Sequence, residues 1–394
     1  MACGCLRKSR CGCGKRRRAA KDWHLSQRRC IVGPTPDAAS RRRYMTQNRR
    51  SFMQHLTFAG VSAATLLKGS GAEAALATGR EAAGLAPPWP GMTYRTLGRT
   101  GYKASRLIFG CGAALSSRRQ DRLLHTAFDA GINVFDVGYK HYYDNAEKHL
   151  APFLKARKEK IFLISKAAVP VDRAWNEEPT VAELKTAAQR WSAFLDESLA
   201  EMQIDQVDAY YQMGANNVTV VGSEEVRRAF EAAKAAGKVK HMGISTHQNA
   251  EAALTRAIET GAFDLAMIAV TPGGWYDWET RKVLPGSAPM HTMRPLFDRA
   301  RESGIGLIGM KAGRFLAGRM FLGAGDPDAF NGQYTADFLK AELSPFQRSY
   351  AYVLGHGLDA VNADMQNLVH LKENFIAAAT SHTYFPDAPG QAIA

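Results

Sequence analysis

The sequence predicts an α/β fold in which parallel strands alternate with helices, and two features of its apolar pattern predict it. Residues 132–136 form a short, mostly apolar run without regular polar alternation, which is typical of a strand covered on both faces. Residues 121–130 and 146–154 on either side have helical spacing, and Gly131 stands at a helix C-cap position. At least seven such steps follow one another between about residues 94 and 379. They predict one (β/α)8 barrel, a TIM barrel, as a single domain over residues 92–380, with a tail over 381–394.

The net charge of +14 is concentrated in the first 50 residues. They carry 15 Lys and Arg against 2 Asp and Glu, so the remainder of the chain is almost neutral. The barrel therefore gives no electrostatic reason to bind nucleic acid. Five of the six cysteines also lie there, and only Cys111 follows. A lone cysteine excludes both an intramolecular disulfide framework and a four-cysteine iron–sulfur cluster in the barrel.

Residues 1–44 are basic and rich in Cys and Gly, with no apolar periodicity, which predicts a disordered extension. Its two Cys-x-Cys pairs, at 3–5 and 11–13, could bind a metal. Their spacing is not the usual zinc pattern and no histidine lies close by, so no metal site is predicted. A simpler explanation is that Met45 is the true start of the protein.

Residues 45–77 have the three parts of a twin-arginine signal peptide in the right order. They are RRSFM at 49–53, an apolar stretch at 55–67 that is too short for a stable membrane span, and Ala-Leu-Ala at 75–77 as a cleavage site. A basic amphipathic helix is the alternative. The signal predicts export to the periplasm by the twin-arginine machinery, with no stable membrane span after processing. Residues 78–91 are a linker that ends in a Pro-rich stretch.

Two charged residues end apolar strand runs, at the position where an α/β barrel carries its chemistry. Asp136 ends the run at 132–136, and Lys166 ends the run at 160–166. Asp136 could instead cap the following helix, and Lys166 could be a surface lysine whose stem lies along apolar neighbours. The spacing alone leaves these alternatives open.

Three short motifs resemble the aldo-keto reductase family. They are Phe-Asp-Val at 135–137, Tyr-Asp-Asn-Ala-Glu at 143–147 and Leu-Ala-Pro at 150–152, where family members carry FD(T/V)A, YG(N/D)(S/A)E and LG. Residues 94–110 are similar to the family opening, RxLGxTGxxVSxLxxG, a β-hairpin that plugs the barrel floor. The resemblance covers about residues 94–379. It implies a barrel enzyme that reduces a small carbonyl compound with bound NAD(P)H.

The resemblance implies that Asp136, Tyr143 and Lys166 are the catalytic residues. The Lys166 ammonium, beside Asp136, would lower the pKa of a tyrosine hydroxyl within hydrogen-bond reach, and this hydroxyl would protonate the carbonyl oxygen. The family tyrosine follows the aspartate by five residues, where this chain has His141, whereas Tyr143 follows by seven in the better-matching motif. Tyr142 is the competing choice. His141 is either a replacement proton donor at the substrate position or an exposed loop residue.

Residues 204–214, IDQVDAYYQMG, resemble a family strand with the pattern (F/V)D(L/I)(Y)xLH, which ends in a histidine. Met213 occupies the position of that histidine, which orients and polarises the substrate carbonyl. A thioether cannot donate a hydrogen bond. Either Asn216 or Asn217 replaces this donor at the substrate position, or the site is altered.

Eight residues stand where the family binds its nicotinamide cofactor. Ser245 and Thr246 replace a Ser-Asn pair at the carboxamide, and Met267 replaces a Gln there. The other five are Lys311, which ends an IGMK strand, and Met365, His370, Glu373 and Asn374 toward the adenine. NADPH-preferring members carry basic residues at the positions of Asp364 and His370, so we expect NADH to bind at least as well as NADPH. No GxGxxG motif follows a predicted strand, so a Rossmann site is not expected.

The leading hypothesis is therefore an exported NAD(P)H-dependent oxidoreductase that reduces an aldehyde or ketone to an alcohol. The alternative is a cofactor-binding barrel with a degenerate site that acts as an accessory or sensor protein, which Met213 and Met267 favour. A sugar-type isomerase or dehydrogenase on the same barrel would need a metal cluster or a further acid–base pair, and the sequence predicts neither. The aromatic segment 272–292 either contacts substrate or has a structural role.

Overall fold

A β-hairpin closes the floor of the barrel, as the resemblance implied. The computed structural model describes residues 89–316 and 325–386, so the predictions for 1–44, for 45–77 and for most of the linker lie outside the described residues. In the hairpin, β1 (Tyr94–Thr96) pairs antiparallel with β2 (Lys103–Ser105). Leu97 and Ala104 are buried in the apolar cluster inside the barrel. The hairpin therefore supplies the bottom of the interior core.

Eight parallel strands form the barrel wall. They are β3 (Leu107–Gly110), β4 (Val134–Asp136), β5 (Phe162–Ala168), β6 (Val207–Met213), β7 (Val239–Thr246), β8 (Leu265–Thr271), β11 (Gly306–Met310) and β12 (Ala360–Asp364). Each pairs with the next, and β12 pairs with β3, which closes the sheet. Between β8 and β11, β9 (Gly274–Asp277) pairs antiparallel with the end of β8 and with β10 (Lys282–Val283).

Twelve α-helices lie in the described part of the chain. They are α1 (Gly112–Leu115), α2 (Asp121–Asp129), α3 (Lys140–Tyr143), α4 (Ala146–Arg157), α5 (Val181–Met202), α6 (Val218–Val221), α7 (Glu224–Ala235), α8 (Ala250–Thr260), α9 (Arg294–Glu302), α10 (Ala336–Leu339), α11 (Pro345–Gly355) and α12 (Leu368–Tyr384). Capping boxes at Thr180 and Ser344 fix where α5 and α11 begin. Within these ranges no helix combines the length and the apolar character that crossing a bilayer requires.

The strands alternate between two cores, which decides which side chains reach the site. On β6, Ala209 and Tyr211 belong to the cluster inside the barrel, whereas Tyr210 packs outward on Trp191 of α5. Met213 is the next residue on the inward face, at the carboxyl end of its strand. All eight strands end at the same rim, so the rim collects the polar residues at their carboxyl ends.

Candidate active site

Asp136 and Lys166 form a buried ion pair at the carboxyl rim. Asp136 is the last residue of β4, and Lys166 lies on the neighbouring strand β5. Lys166 Nζ donates hydrogen bonds to Asp136 Oδ2 and, at 2.9 Å, to the carbonyl oxygen of Val137. Asp136 caps no helix and Lys166 is not a surface residue, so the two structural alternatives are wrong.

Asn362 on β12 completes the contacts of the Asp136 carboxylate. Its Nδ2 donates to Asp136 Oδ2 at 2.6 Å. Oδ1 of Asp136 has no hydrogen-bond partner among the described residues. Burial raises the pKa of Asp136, while the Lys166 ammonium and the Asn362 amide act in the opposite direction. The charge on Asp136 therefore depends on these two neighbours.

Tyr143 lies beside this pair because two glycines leave room for its ring. A Cβ atom added at Gly112 would collide with the Tyr143 ring, and one added at Gly138 would lie 2.8 Å from it. The ring centroid is 5.5 Å from Lys166 Nζ. Among the described residues no hydrogen bond joins the Tyr143 hydroxyl to Lys166, whose donated bonds go to Asp136 and Val137. The three predicted catalytic residues thus converge, but without the expected direct Lys–Tyr hydrogen bond.

The pKa of Tyr143 shifts in the direction opposite to the sequence-based expectation. Burial raises it well above its usual value, and the Asp136 carboxylate raises it further. The physical reason is that the charge of Lys166 is already balanced by Asp136, so it gives the tyrosinate little net stabilisation. The hydroxyl is therefore protonated at neutral pH. The competing Tyr142 is 48% exposed and packs edge-on against the Tyr143 ring.

His141 does not reach this group, so the prediction that it lies at the substrate position is wrong. Its Nε2 lies 2.8 Å from a carboxylate oxygen of Glu197 on α5, and its ring packs on Phe194. It lies on the exposed outer side of α3. This is the exposed loop residue that the sequence allowed as the alternative.

Asn216 is also engaged within the chain. Its Oδ1 accepts hydrogen bonds from the Thr246 hydroxyl and from the backbone N–H groups of His247 and Gln248. Asn217 caps α6 through its Oδ1. These amides therefore hold loops together at the rim. The Nδ2 of Asn217 donates to the carbonyl oxygen of Glu177, whereas Asn216 accepts its bonds through its oxygens, so a donor role of Asn216 at the substrate position stays a prediction.

Two of the predicted carboxamide contacts face the barrel interior. Ser245 on β7 is paired in register with Met213 on one side and Met267 on the other. Its Oγ is buried and has no hydrogen-bond partner among the described residues. The sulfur of Met267 lies 3.3 Å from Asn362 Nδ2. The hydroxyl of Thr246, in contrast, is bound to the carboxamide oxygen of Asn216.

Lys311 follows β11 in a left-handed backbone conformation, with φ of 69°. Its Nζ lies 5.0 Å from the ring centroid of Trp278, and the Arg281 guanidinium lies over the same ring at 3.5 Å. Burial lowers the pKa of Lys311 to about 8, Asp364 opposes this shift, and Lys166 adds to it. The rim on this side is therefore cationic and partly covered by the loop between β9 and β10.

The residues predicted at the adenine end lie around the start of α12. Glu373 accepts a hydrogen bond from the α11 cap, Ser344, at 2.5 Å, and Asn374 is buried. Met365 is completely buried in the outer core, so the structure does not support a cofactor contact from its side chain. His370 is exposed in the first turn of α12. Of this group, His370 therefore has the most accessible side chain.

Sequence reasoning missed Asn362 and His247, and it included Trp278 only as part of the aromatic segment 272–292. Asn362 is a polar residue near the carboxyl end of a short apolar strand. The same signal indicated Asp136 and Lys166, and it could have identified Asn362 as well. Trp278 and His247 lie on loops, where no periodicity indicates which way a side chain points. Within 89–316 and 325–386, no group of three or more His, Cys, Asp or Glu residues could hold a metal ion.

The comparisons with known proteins agree with this arrangement. The model of the aldo/keto reductase family matches residues 106–312, more than half of the chain. A 6-dehydroglucose reductase from Novosphingobium aromaticivorans is 26% identical over 165 residues, which is 39% of this chain. The match spans about half (51%) of that relative's length.

Two solved structures share the fold at low sequence identity. An aldo-keto reductase from Bacillus halodurans, in its holo form, has 20% identity and a TM-score of 0.51, covering 77% of this chain and 98% of that one. An aldo-keto reductase from Klebsiella pneumoniae in complex with NADPH has 17% identity and a TM-score of 0.51, covering 75% and 95%. These likenesses support the closed eight-stranded barrel with its N-terminal hairpin.

Proposed function

Because this chain belongs to the aldo/keto reductase family, we propose that it is an NAD(P)H-dependent oxidoreductase that reduces an aldehyde or ketone to an alcohol. The observation that carries the proposal is the buried Asp136–Lys166 pair with the Tyr143 ring beside it. Burying two charges is costly even when they are paired, and this pair lies at the rim where barrels carry their chemistry.

Tyr143 is the proton donor in this proposal. Burial and Asp136 raise its pKa well above the usual value, so the hydroxyl holds its proton until a stronger base forms beside it. A reduced nicotinamide, when bound, would supply the hydride that the carbonyl carbon takes up. The carbonyl oxygen then takes the Tyr143 proton, which yields the alcohol, and the tyrosinate regains a proton from solvent. Asp136 holds the Lys166 ammonium 5.5 Å from the centroid of the Tyr143 ring, so the ion pair keeps its place beside the proton donor.

The rim fits a nicotinamide cofactor in two respects. Ser245 Oγ is a buried polar atom without a partner, and a carboxamide would satisfy it. Lys311 places a cation at the rim, where a dinucleotide has its phosphates. These two residues would hold the two ends of the reactive half of the cofactor. The K. pneumoniae relative was solved with NADPH, which supports a cofactor of this class.

Export of the folded protein to the periplasm is part of the proposal and rests on the sequence of residues 45–77 alone. The twin-arginine route carries proteins that are already folded, typically with their cofactor bound. It suits an enzyme whose nicotinamide must be loaded before it leaves the cytoplasm.

Met213 supports a second candidate function, a cofactor-binding accessory or sensor protein. At this position the resemblance expects a hydrogen-bond donor to the substrate, and the thioether of Met213 cannot donate. The two functions differ in whether bound cofactor is oxidised by any carbonyl compound.

The test uses purified protein with NADH and with NADPH, followed by a panel of carbonyl compounds. The panel includes sugar-derived aldehydes, because the curated relative is a 6-dehydroglucose reductase. We expect cofactor fluorescence to report binding, and absorbance at the reduced nicotinamide band to fall with at least one carbonyl compound. Binding without turnover across the whole panel would favour the accessory function, and absence of binding would exclude both.

A further inference from the structure

His247 lies close to Met213, whose thioether cannot donate a hydrogen bond to a substrate. Strands β6 and β7 pair in register, with Met213 opposite Ser245. Strand β7 ends at Thr246, so His247 is the first residue beyond it and only two residues past Ser245. A residue two positions further along a strand tends to return to the same face, which at this strand is the inward face.

The backbone at His247 is held in place from the β6 side. Asn216, three residues after Met213, accepts hydrogen bonds at Oδ1 from the His247 N–H at 3.2 Å and from the Gln248 N–H at 3.0 Å. The carbonyl oxygen of Asn216 accepts a further bond from the side chain of Asn249. The loop that follows the methionine thus fixes the position of the histidine.

A second set of bonds holds His247 from the opposite side. The side chain of Gln248 donates to Asp277 Oδ1 at 2.9 Å and accepts from the backbone N–H of Trp278, also at 2.9 Å. The ring centroids of His247 and Trp278 are 4.8 Å apart. Because both neighbouring segments bind this short stretch, the imidazole is preorganised before any ligand arrives.

The imidazole itself makes no hydrogen bond within the described residues. The backbone N–H of His247 is bonded to Asn216 and its ring packs on Trp278, yet neither ring nitrogen has a hydrogen-bond partner among the described residues. Burial lowers its pKa well below the usual value, and the nearby cations Lys311, Lys166 and Arg281 lower it further. The ring is therefore neutral at physiological pH, with one N–H to donate. The ring that packs on His247, that of Trp278, also has Lys311 Nζ 5.0 Å from its centroid, so the imidazole and this rim lysine lie on one aromatic neighbour.

His247 lines a cavity of about 650 Å³ at the rim. The cavity has aromatic walls from Trp175, Trp275 and Tyr276, and polar groups from the segment that follows His247. Its volume is in the range of pockets that bind small molecules. The rest of the lining belongs mainly to α8, and the catalytic residues do not line this cavity. The cavity shows that a small molecule can reach His247, and the strand register directs His247 toward Met213.

We propose that His247 donates a hydrogen bond to the carbonyl oxygen of the substrate and so takes the role that Met213 cannot fill. This inference rests on the proposed reductase function. His247 keeps its proton throughout: it polarises the carbonyl, while Tyr143 supplies the proton that ends on the alcohol. Removing one such donor from a preorganised site typically costs about 10²–10³-fold in kcat.

The test compares His247→Phe, which keeps a ring against Trp278, with His247→Gln, which keeps a donor. We expect His247→Phe to lower kcat by about 10²–10³-fold and His247→Gln to lower it less, with the Kd for cofactor unchanged in both. The fluorescence titration of cofactor also shows that each variant is folded. His125→Gln, at a histidine of α2, is the matched control.

Two further measurements separate a donor from a structural residue. In the His247→Phe background, Met213→His should raise kcat at least about tenfold, because it returns a donor from the neighbouring strand. Calorimetric titration of the carbonyl compound, with oxidised cofactor present, should show weaker binding to His247→Phe. If the wild type turns over and His247→Phe stays within threefold of it, the inference is wrong and the reductase function stands. If the wild type reduces nothing, the reductase function fails and the inference fails with it.

Discussion

Lys166 Nζ lies 2.5 Å from Asp136 Oδ2, and the two side chains are only 5% and 4% exposed. The pair joins adjacent strands at the barrel rim, and Asn362 binds the same carboxylate oxygen from β12. Burial raises the pKa of Tyr143 beside this pair, and the Asp136 carboxylate raises it further, so Tyr143 stays protonated. The surroundings of the pair thus favour the protonated form of Tyr143, which can donate a proton, over the tyrosinate, which cannot.

Glu147 gives a test of how burial acts on stability. It is a buried residue of α4 whose Oε1 accepts a bond from Ser165 Oγ at 2.9 Å, and burial raises its pKa to about 7. The folded protein therefore binds this proton more tightly than the unfolded chain. Its contribution to stability is full below about pH 4.5, falls as the pH rises to about 7, and stays low above that value.

We expect Glu147→Gln to raise the free energy of unfolding by up to about 3 kcal/mol at pH 8, and by about 1 kcal/mol at pH 5. Urea denaturation at the two pH values measures this difference. Glu231→Gln, at an exposed residue of α7, should change neither value by more than about 0.5 kcal/mol. An equal effect of Glu147→Gln at both pH values would show that Glu147 does not titrate in this range.

Lys311 should make cofactor affinity depend on pH. Burial lowers its pKa to about 8, so the side chain is charged below that value and loses its charge above it. The anionic cofactor should therefore bind more weakly as the pH rises past about 8. Lys311→Arg, whose guanidinium stays protonated, should keep its affinity up to about pH 9.

Fluorescence titration of the cofactor between about pH 6.5 and 9.5 measures the effect of Lys311. Lys148→Arg, at an exposed lysine of α4, is the control and should follow the wild-type curve. A wild-type Kd that is constant across the range would exclude Lys311 from the phosphate site.

NADH should bind at least as tightly as NADPH. Asp364 ends β12 at the rim, and its carboxylate would repel a 2′-phosphate. Asp364→Asn should therefore shift the ratio of the two dissociation constants toward NADPH. The same fluorescence assay measures the Kd values of NADH and NADPH for the wild type and for Asp364→Asn. NADPH binding ten times more tightly, a difference of about 1.4 kcal/mol, would refute the assignment of these positions.

The Arg49–Arg50 pair should direct export. Changing both residues to Lys should leave the protein in the cytoplasm with its signal uncut, because the twin-arginine machinery reads the arginine pair. Cell fractionation with detection of the protein's size measures the outcome. Unchanged delivery to the periplasm would show that residues 45–77 are not a twin-arginine signal.

The fold was predictable because each barrel step leaves a local pattern. The start of α5 is an example, since its apolar spacing and the Thr-x-x-Glu capping box at Thr180 are both readable from the sequence. Strand β5 runs two residues past the predicted end, to Ala168, so Lys166 lies inside it. Ala167 and Ala168 follow Lys166 and continue the pairing of β5 with β6. The charge of Lys166 gave a misleading signal for the end of this strand.

The site was predictable only in part. Asp136 and Lys166 stand on strands, where the alternation of faces limits where a side chain can go. His141 stands on the one-turn helix α3 and Asn216 on a loop, and their partners, Glu197 and residues 246–248, are distant in sequence. No spacing rule predicts such pairings, and for the same reason His247 was not singled out.

The kcat of Tyr143→Phe, measured against Tyr142→Phe with the same carbonyl compound, tests the central claim most directly. The claim is that the Tyr143 hydroxyl protonates the substrate beside the Asp136–Lys166 pair. Tyr143→Phe should lower kcat by about 10²–10⁴-fold with cofactor binding little changed, whereas Tyr142→Phe, at an exposed ring, should have a mild effect. A Tyr143→Phe protein that keeps the wild-type kcat would contradict the proposed mechanism.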